Sequence, residues 1–392
     1  MTRSACDLPL LCGVRRPHHQ DNRWREPNQA PYDTGSILLP AIGTKQGDMT
    51  NPLVLHHEKM GAQLEQSRIP LSYTNPVEEY WAVRNRSGLA DLSHLGLLRI
   101  TGKERLPFLN GLLTNEVLKL NEGTGIRSAL LNTKARVLAD LYLYAREDDL
   151  LIDTGDVPGA NVKEILDRFI ITEDVQVQDI TSGFVHLTIQ GLQAAENARE
   201  LFGLAFADMK PLQHKMIGPT MIIVRDRTGQ SGYDIIIPND EAQAVWQGFL
   251  LKGVTPVGQD ALEILRLEAG YPRYGVDVDE NTIILEAGYK DAISFTKGCY
   301  LGQEVVARAT HIGRVNKNLV QFQTNSDQVP SPNSKLQANG KEAGYVTSAA
   351  FSPGLKAVVG LGYAQRDFAK EGTKLVVESA HGQLSTVVTR LV

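Results

Sequence analysis

The hydrophobic pattern changes character at about Val315, and this change most constrains the fold. Downstream of it only short strand-like runs occur, at 319–322, 343–347, 357–363, 374–377 and 384–390, separated by Gly, Pro, Ser and Asn turns. Five or six short strands at such spacing close into a small barrel. The polar stretch 325–332 reads as a loop of that module or as a linker. Upstream, helical and strand patterns alternate without a regular rhythm. Trp81, Val83, Leu89 and Leu92 predict a helix over 80–92 that ends near Gly88, and 106–113 predicts a second. Strands are expected at 97–101, 150–153, 184–189, 220–225 and 233–237, with a hairpin formed by 127–131 and 137–144 around Asn132-Thr133-Lys134. Val162, Ile165, Leu166 and Phe169 recur at helical spacing, as do Ala242, Val245, Trp246 and Phe249. Lacking the βαβα repeat of a doubly wound sheet, this region is α+β with mainly antiparallel sheets. The expected division is a 1–50 extension, a 51–314 α+β region and a 315–392 barrel.

Composition narrows the class of function. A chain of 392 residues, 42% hydrophobic and 22% charged, buries a core large enough for two or three domains. Its net charge of -5 gives no broad footprint for phosphate backbones or anionic membranes, so direct nucleic-acid binding is disfavoured. No apolar run approaches the roughly 18 residues that span a bilayer. Three cysteines, two of them in the N-terminal extension, make no disulfide framework, and a reducing cytoplasm is expected. Residues 1–50 lack periodicity and read as disordered. Cys6, Cys12, His18 and His19 match no closed ligand spacing, so no metal site is expected. Met49 precedes the first ordered pattern and is a candidate true start.

The segment Lys297-Gly298-Cys299-Tyr300-Leu301-Gly302-Gln303-Glu304 sets a lone cysteine between two glycines, ahead of an amphipathic run in which Glu304 lies four residues before Arg308. A helix N-terminus and a nearby Lys297 would both lower a thiol from its usual value of about 8.5, favouring a reactive thiolate. The other reading is an inert small hydrophobe filling a turn permitted by Gly298 and Gly302.

The longer string from Ser294 to Glu304, continuing through Ala307-Arg308 to His311 and Gly313, resembles the signature of the YgfZ/GcvT-related folate-binding proteins. The resemblance covers nearly everything after residue 50. It implies the three-lobed arrangement of the glycine-cleavage T-protein, two α+β lobes and a small C-terminal β-barrel, around a folate channel. It also implies tetrahydrofolate or a derivative as cofactor, and a role as accessory factor in assembly or repair of iron-sulfur proteins, with client or assembly proteins as partners. One cysteine cannot hold a cluster, which takes about four ligands, so any cluster would be shared.

Further segments carry the same resemblance. Residues 227–234 are similar to the T-protein pattern T-G-E-D-G-[FY]-E, with Gln230 where the pterin-binding glutamate stands. Residues 265–275 resemble R-L-E-A-G-x-P-x-Y-G and nominate Arg266, with Glu268 as its partner. Glu286 and Tyr289 come from a second such match, and Tyr289 or Tyr271 is a candidate to stack on the pterin. His311, Arg308 and Arg314 would position the loop or bind an anion. T-proteins typically carry G-G-x-x-D-D-L where this chain has 135–141, so Ala139 replaces the first aspartate and only Asp140 remains. Read as loss of an acid/base, this disfavours the alternative function, a folate-dependent aminomethyltransferase. A tRNA-modification-related folate protein is a third reading.

Overall fold

The computed structural model describes residues 51–66, 68–203, 206, 208–311, 315–379 and 382–392. The 1–50 extension, with Cys6, Cys12, His18, His19 and Met49, lies outside the described residues, as do Gly313 and Arg314.

Two mainly antiparallel sheets form the first two parts of the molecule. One has five strands in the spatial order Gly125–Leu131, Val137–Ala145, Leu150–Asp153, Leu97–Thr101 and Gln176–Asp179. The expected hairpin is its core, with Arg127 opposite Tyr142 and Ala129 opposite Asp140. The other sheet has six strands, His214–Ile217, Thr220–Val224, Gly232–Pro238, Phe184–Gln190, Gly88–Asp91 and Thr255–Pro256, the last pairing in parallel. Helices Ala194–Phe202 and Asn239–Leu251 pack on this sheet through Ala198, Ala242, Trp246 and Phe249, all fully buried. Leu97, Tyr144 and Leu151 of the first sheet meet Met221, Ile223 and Ile236 of the second in one apolar cluster. The sheets therefore hold each other through their strands, not only through the connecting chain.

The helix expected over 80–92 is shorter. It spans Pro76–Asn85, started by Asn75, whose side chain accepts from Val77 N, and by Pro76 in the first turn. Leu89 belongs instead to the strand Gly88–Asp91, paired with Ile189. A strand partner distant in sequence overrode a locally helical spacing.

The third part is a closed barrel in the order Lys317–Thr324, Ala357–Gln365, Lys341–Ser352, Lys335–Ala338, Lys374–Ser379 and Gly382–Leu391, returning to the first. Val320, Phe322, Leu336, Val346, Leu375, Val377 and Val388 fill it. The four-residue strand Lys335–Ala338 escaped the pattern because Lys335 and Gln337 alternate with only two apolar positions. The helix Gln259–Ala269 joins barrel to sheets. Its Leu267 packs with Leu319, Val359, Leu361 and Tyr363. It stops at Gly270, whose φ of 69° is a left-handed C-cap, beneath Arg390 of the barrel.

Candidate functional site

Strand parity divides the side chains of the 137–145 strand between two faces. Ala139, Leu141 and Leu143 are fully buried on one face. Asp140 and Tyr142 occupy the other face, where they keep some exposure, 12% for the Asp140 side chain, while Leu138 and Tyr144 beside them are buried. Ala139 therefore sits in the apolar core, and an alanine there does not remove the acid on the opposite face, which is Asp140. Arg127 of the neighbouring strand grips Asp140 with two hydrogen bonds, Nε to Oδ1 at 2.9 Å and Nη2 to Oδ2 at 2.8 Å. Its Nη1 donates to Asp291 at 3.2 Å. The guanidinium stacks 3.9 Å from the Tyr289 ring centroid and lies 5.7 Å from that of Tyr142. Burial works against the charge of Arg127, but Asp140 and the two phenols hold it well above its ordinary value.

Tyr142 links this group to the second sheet, since Arg225 stacks 3.3 Å over its ring. Arg225 donates to Tyr144 Oη at 3.0 Å and to Asp153 at 3.2 Å. Arg227 binds Asp234 through both Nε and Nη2, the shortest contact 2.6 Å, and His186 Nε2 lies 3.3 Å from the same carboxylate. Burial alone would raise the Asp234 carboxyl, yet Arg227 and His186 hold it well below the usual carboxylate range. Asp153, His186 and Asp234 are close enough together to ligate a cation. Two guanidiniums already balance the two carboxylates, and they oppose a further positive charge there.

The residues nominated from sequence separate into groups. Gln230 and Glu268 are brought together through Arg84, whose carbonyl accepts from Gln230 Nε2 at 3.4 Å and whose guanidinium pairs with Glu268. Glu268 also accepts from Tyr80 Oη at 2.9 Å and from Ser352. Gln230 Oε1 is a buried acceptor with no partner. Arg266 does not pair with Glu268, because residues two apart on a helix do not face each other; it reaches Glu263 at 2.7 Å and Asp277 at 2.6 Å. Glu286, pushed up by burial, lies 4.0 Å from Lys317 and joins neither group. Tyr289 is 1% exposed and already has Arg127 on its ring, so it is not a free stacking face. Tyr271 is 40% exposed and donates to Asp226 at 2.8 Å. His311 ends the helix Gln303–His311.

Cys299 is exposed and free. Lys297, expected to act on the thiol, turns its Nζ inward and donates to the carbonyls of Asn110, Leu113 and Asn115 at 2.6, 2.7 and 2.9 Å. Burial pushes this ammonium down to about 8. Lys297 thus anchors the loop by capping the helix Arg105–Leu112, whose last carbonyls lack helical partners. Tyr300 packs with Ala129, Leu131 and Tyr289, on the same face of the hairpin as Arg127 and Asp140, since Ala129 lies directly opposite Asp140. Glu304 and Arg308 are an exposed i,i+4 pair beside Gln303 at the start of the helix. Gly298 stands in open space, whereas Gly302 has φ 83° and a Cβ there would meet Asn132 O at 2.6 Å. Gly302→Ala is therefore expected to destabilise the chain by about 1–3 kcal/mol, and Gly298→Ala by under about 1, read as shifts of the urea midpoint.

Sequence reasoning missed Arg127, Arg225, Arg227, Asp153, Asp234 and His186. The available signal was charge at inward positions of otherwise apolar strands, as with Asp234 among Ile235, Ile236 and Ile237. A separate cleft of about 740 Å³, lined by Arg99, Arg146, Asp149, His214 and Met216 among others, shares no lining residue with this cluster. Among the described residues no helix is long and apolar enough to cross a membrane.

The chain belongs to the glycine cleavage T-protein family. The GCVT N-terminal domain matches residues 53–297 and the glycine cleavage T-protein C-terminal barrel domain matches 317–392. An aminomethyltransferase of Caldanaerobacter subterraneus is 30% identical over 332 residues, covering 82% of this chain and 88% of that protein. One from Halothermothrix orenii is 28% identical, covering 87% and 98%. The crystal structure of glycine cleavage system aminomethyltransferase T from Bartonella henselae superposes with a TM-score of 0.81 at 27% identity, over 86% of this chain and 96% of that one. Two mainly antiparallel α+β lobes and a closed barrel are thus the T-protein fold.

Proposed function

We propose that this chain binds tetrahydrofolate beside the Asp140 face of the first sheet and transfers a one-carbon unit to it, as an aminomethyltransferase. The observation that carries the reading is Asp140, a carboxylate that keeps some exposure and is held by Arg127 within a chain of the T-protein family. The donor set fits the cofactor. A pterin presents an amide-like edge, and the unpartnered buried Gln230 Oε1 is an acceptor of the kind that edge satisfies. Arg390, over Gly270, supplies a cation suited to an anionic tail. When bound, tetrahydrofolate would supply the nucleophilic nitrogens that take up the one-carbon unit, with ammonia and the carrier's freed thiol as the leaving groups. Asp140 would hold or accept the proton of one of those nitrogens, and Tyr142 and Arg225 would restrict water access on the second-sheet side. The test is single turnover of the purified full chain with tetrahydrofolate and a lipoyl-carrier aminomethyl donor. Formation of methylene-tetrahydrofolate is expected; none from folded, folate-binding protein would remove the transferase reading.

A second reading is favoured by one observation: Cys299 is exposed on a loop that Lys297 anchors, outside the Asp140 group. It is the iron-sulfur accessory role, with folate bound and Cys299 contacting a client. Under the transferase reading Cys299→Ala keeps turnover within about threefold of wild type, because no proton or carbon passes through the thiol. Under the accessory reading the same variant loses rescue of iron-sulfur enzyme activity in cells lacking their own factor, with folate binding unchanged.

A further inference from the structure

We propose that Arg127 is the positioning residue of the site, fixing the Asp140 carboxylate for work at the bound ligand; this rests on the transferase reading above. Three features make the placement rigid. The two-point fork between Arg127 and Asp140 fixes both the distance and the plane of the carboxylate, which a single hydrogen bond would leave free to rotate. The guanidinium lies against Tyr289, whose ring is locked in the apolar cluster with Ala129, Leu131 and Tyr300. Its remaining arm is tied to Asp291, which is 64% exposed on its side chain and sits in the short turn Lys290–Ala292. Arg127 and Asp140 come from adjacent strands, diagonal across the hairpin, so the fork needs no loop to order first.

The geometry also assigns a division of labour between the two arginines that meet the Tyr142 ring. Arg225 spends its donors on Tyr144 and Asp153 and belongs to the inter-sheet ion network. Arg127 spends two of its donors on Asp140. Each oxygen of that carboxylate keeps a lone pair for a ligand proton after accepting one bond from Arg127. Arg127 acts through Asp140 and not on the ligand, so its removal should disturb turnover more than binding.

The experiment compares Arg127→Met and Arg127→Lys with wild type in the full chain. Titration with tetrahydrofolate measures binding, and single turnover measures transfer. Arg127→Met is expected to lower the turnover rate by about 10²-fold while the dissociation constant for tetrahydrofolate stays within about threefold, and Arg127→Lys to recover about tenfold by restoring one charged contact. Weakened folate binding with the turnover rate intact would overturn the proposal and make Arg127 a ligand contact; unchanged rate and binding would overturn it as well. A readout independent of activity separates this proposal from the transferase reading. The Arg127 Nε–H resonance, protected by its bond to Asp140, is expected in the wild-type nitrogen-proton NMR spectrum and is expected to be lost in Asp140→Ala. A folded wild-type protein without that protected resonance has no fork, and positioning by Arg127 then fails whatever the transferase assay gives. A protected fork in a protein that binds folate but transfers nothing would retain the positioning geometry and remove the transferase reading alone.

Discussion

Asp140→Asn is expected to lower one-carbon transfer by about 10² to 10⁴, the range that a positioned general acid or base contributes. Asparagine keeps the size of the side chain and still offers one oxygen to Arg127, so the fork is reduced and not abolished. What disappears is the charge and the ability to carry a proton. Arg127 remains partly balanced by Asp291 and by the Tyr289 ring, and the folding cost should stay near 1–3 kcal/mol, the usual cost of weakening one charged hydrogen-bonded pair. The rate loss must therefore appear in single turnover under conditions where the variant is fully folded, with tetrahydrofolate affinity close to wild type. A variant that turns over within about threefold of wild type would take Asp140 out of the chemistry and leave the site as a folate-holding surface. A loss of folate binding equal to the loss of rate would instead make Asp140 a binding residue.

How far this site was legible in the sequence turns on the same strand. The hairpin was visible because 127–131 and 137–144 alternate around an Asn-Thr-Lys turn, and the barrel was visible because nothing but short strands follows Val315. The parity of 137–145 was also present: Ala139, Leu141 and Leu143 form one apolar set, Asp140, Tyr142 and Tyr144 a more polar one. Matching the chain to a family pattern position by position placed weight on Ala139, whereas the alternation placed Asp140 on the opposite face. Pairings between distant segments were not legible. Nothing near Arg266 announces Asp277, and nothing near Lys297 announces three carbonyls at the end of the helix Arg105–Leu112. Long charged side chains reach 5 Å or more from their own backbone, by roughly the length of their stems, so their partners depend on packing that local spacing does not encode. The short strands Gln176–Asp179 and His214–Ile217 were missed for a related reason: each has at most two apolar residues and is held by its neighbour's ladder.

The second large effect expected is on stability, at Asp277. Its side chain is fully buried and collects four donors: Arg266 Nη1 at 2.6 Å, Arg273 N at 3.0 Å, Thr347 Oγ1 at 2.5 Å and Ser348 Oγ at 2.6 Å. Two of these donors belong to the barrel strand Lys341–Ser352, and Tyr363 of the barrel donates to the Asp277 carbonyl at 3.0 Å. The residue is thus a joint between the barrel and the helix that carries Arg266 and Glu268. Asp277→Ala removes the carboxylate that balances Arg266 on its buried side, leaving the Tyr271 carbonyl and Glu263, which is 27% exposed on its side chain. It also leaves Arg273 N and Ser348 Oγ without the acceptor they had. Breaking a buried pair from one side costs about 3–5 kcal/mol, and that is the expected fall in unfolding free energy for the alanine variant. Asp277→Asn should cost less, about 1–2 kcal/mol, because the amide oxygen still accepts from Arg266 and the two hydroxyls can rotate to accept from the amide nitrogen. Urea unfolding of both variants checks the argument through their difference. Equal losses for alanine and asparagine would mean that the charge, not the hydrogen-bond geometry, holds this joint. A loss under about 1 kcal/mol in both would mean that Leu267 and its apolar neighbours in the barrel wall hold it without Asp277.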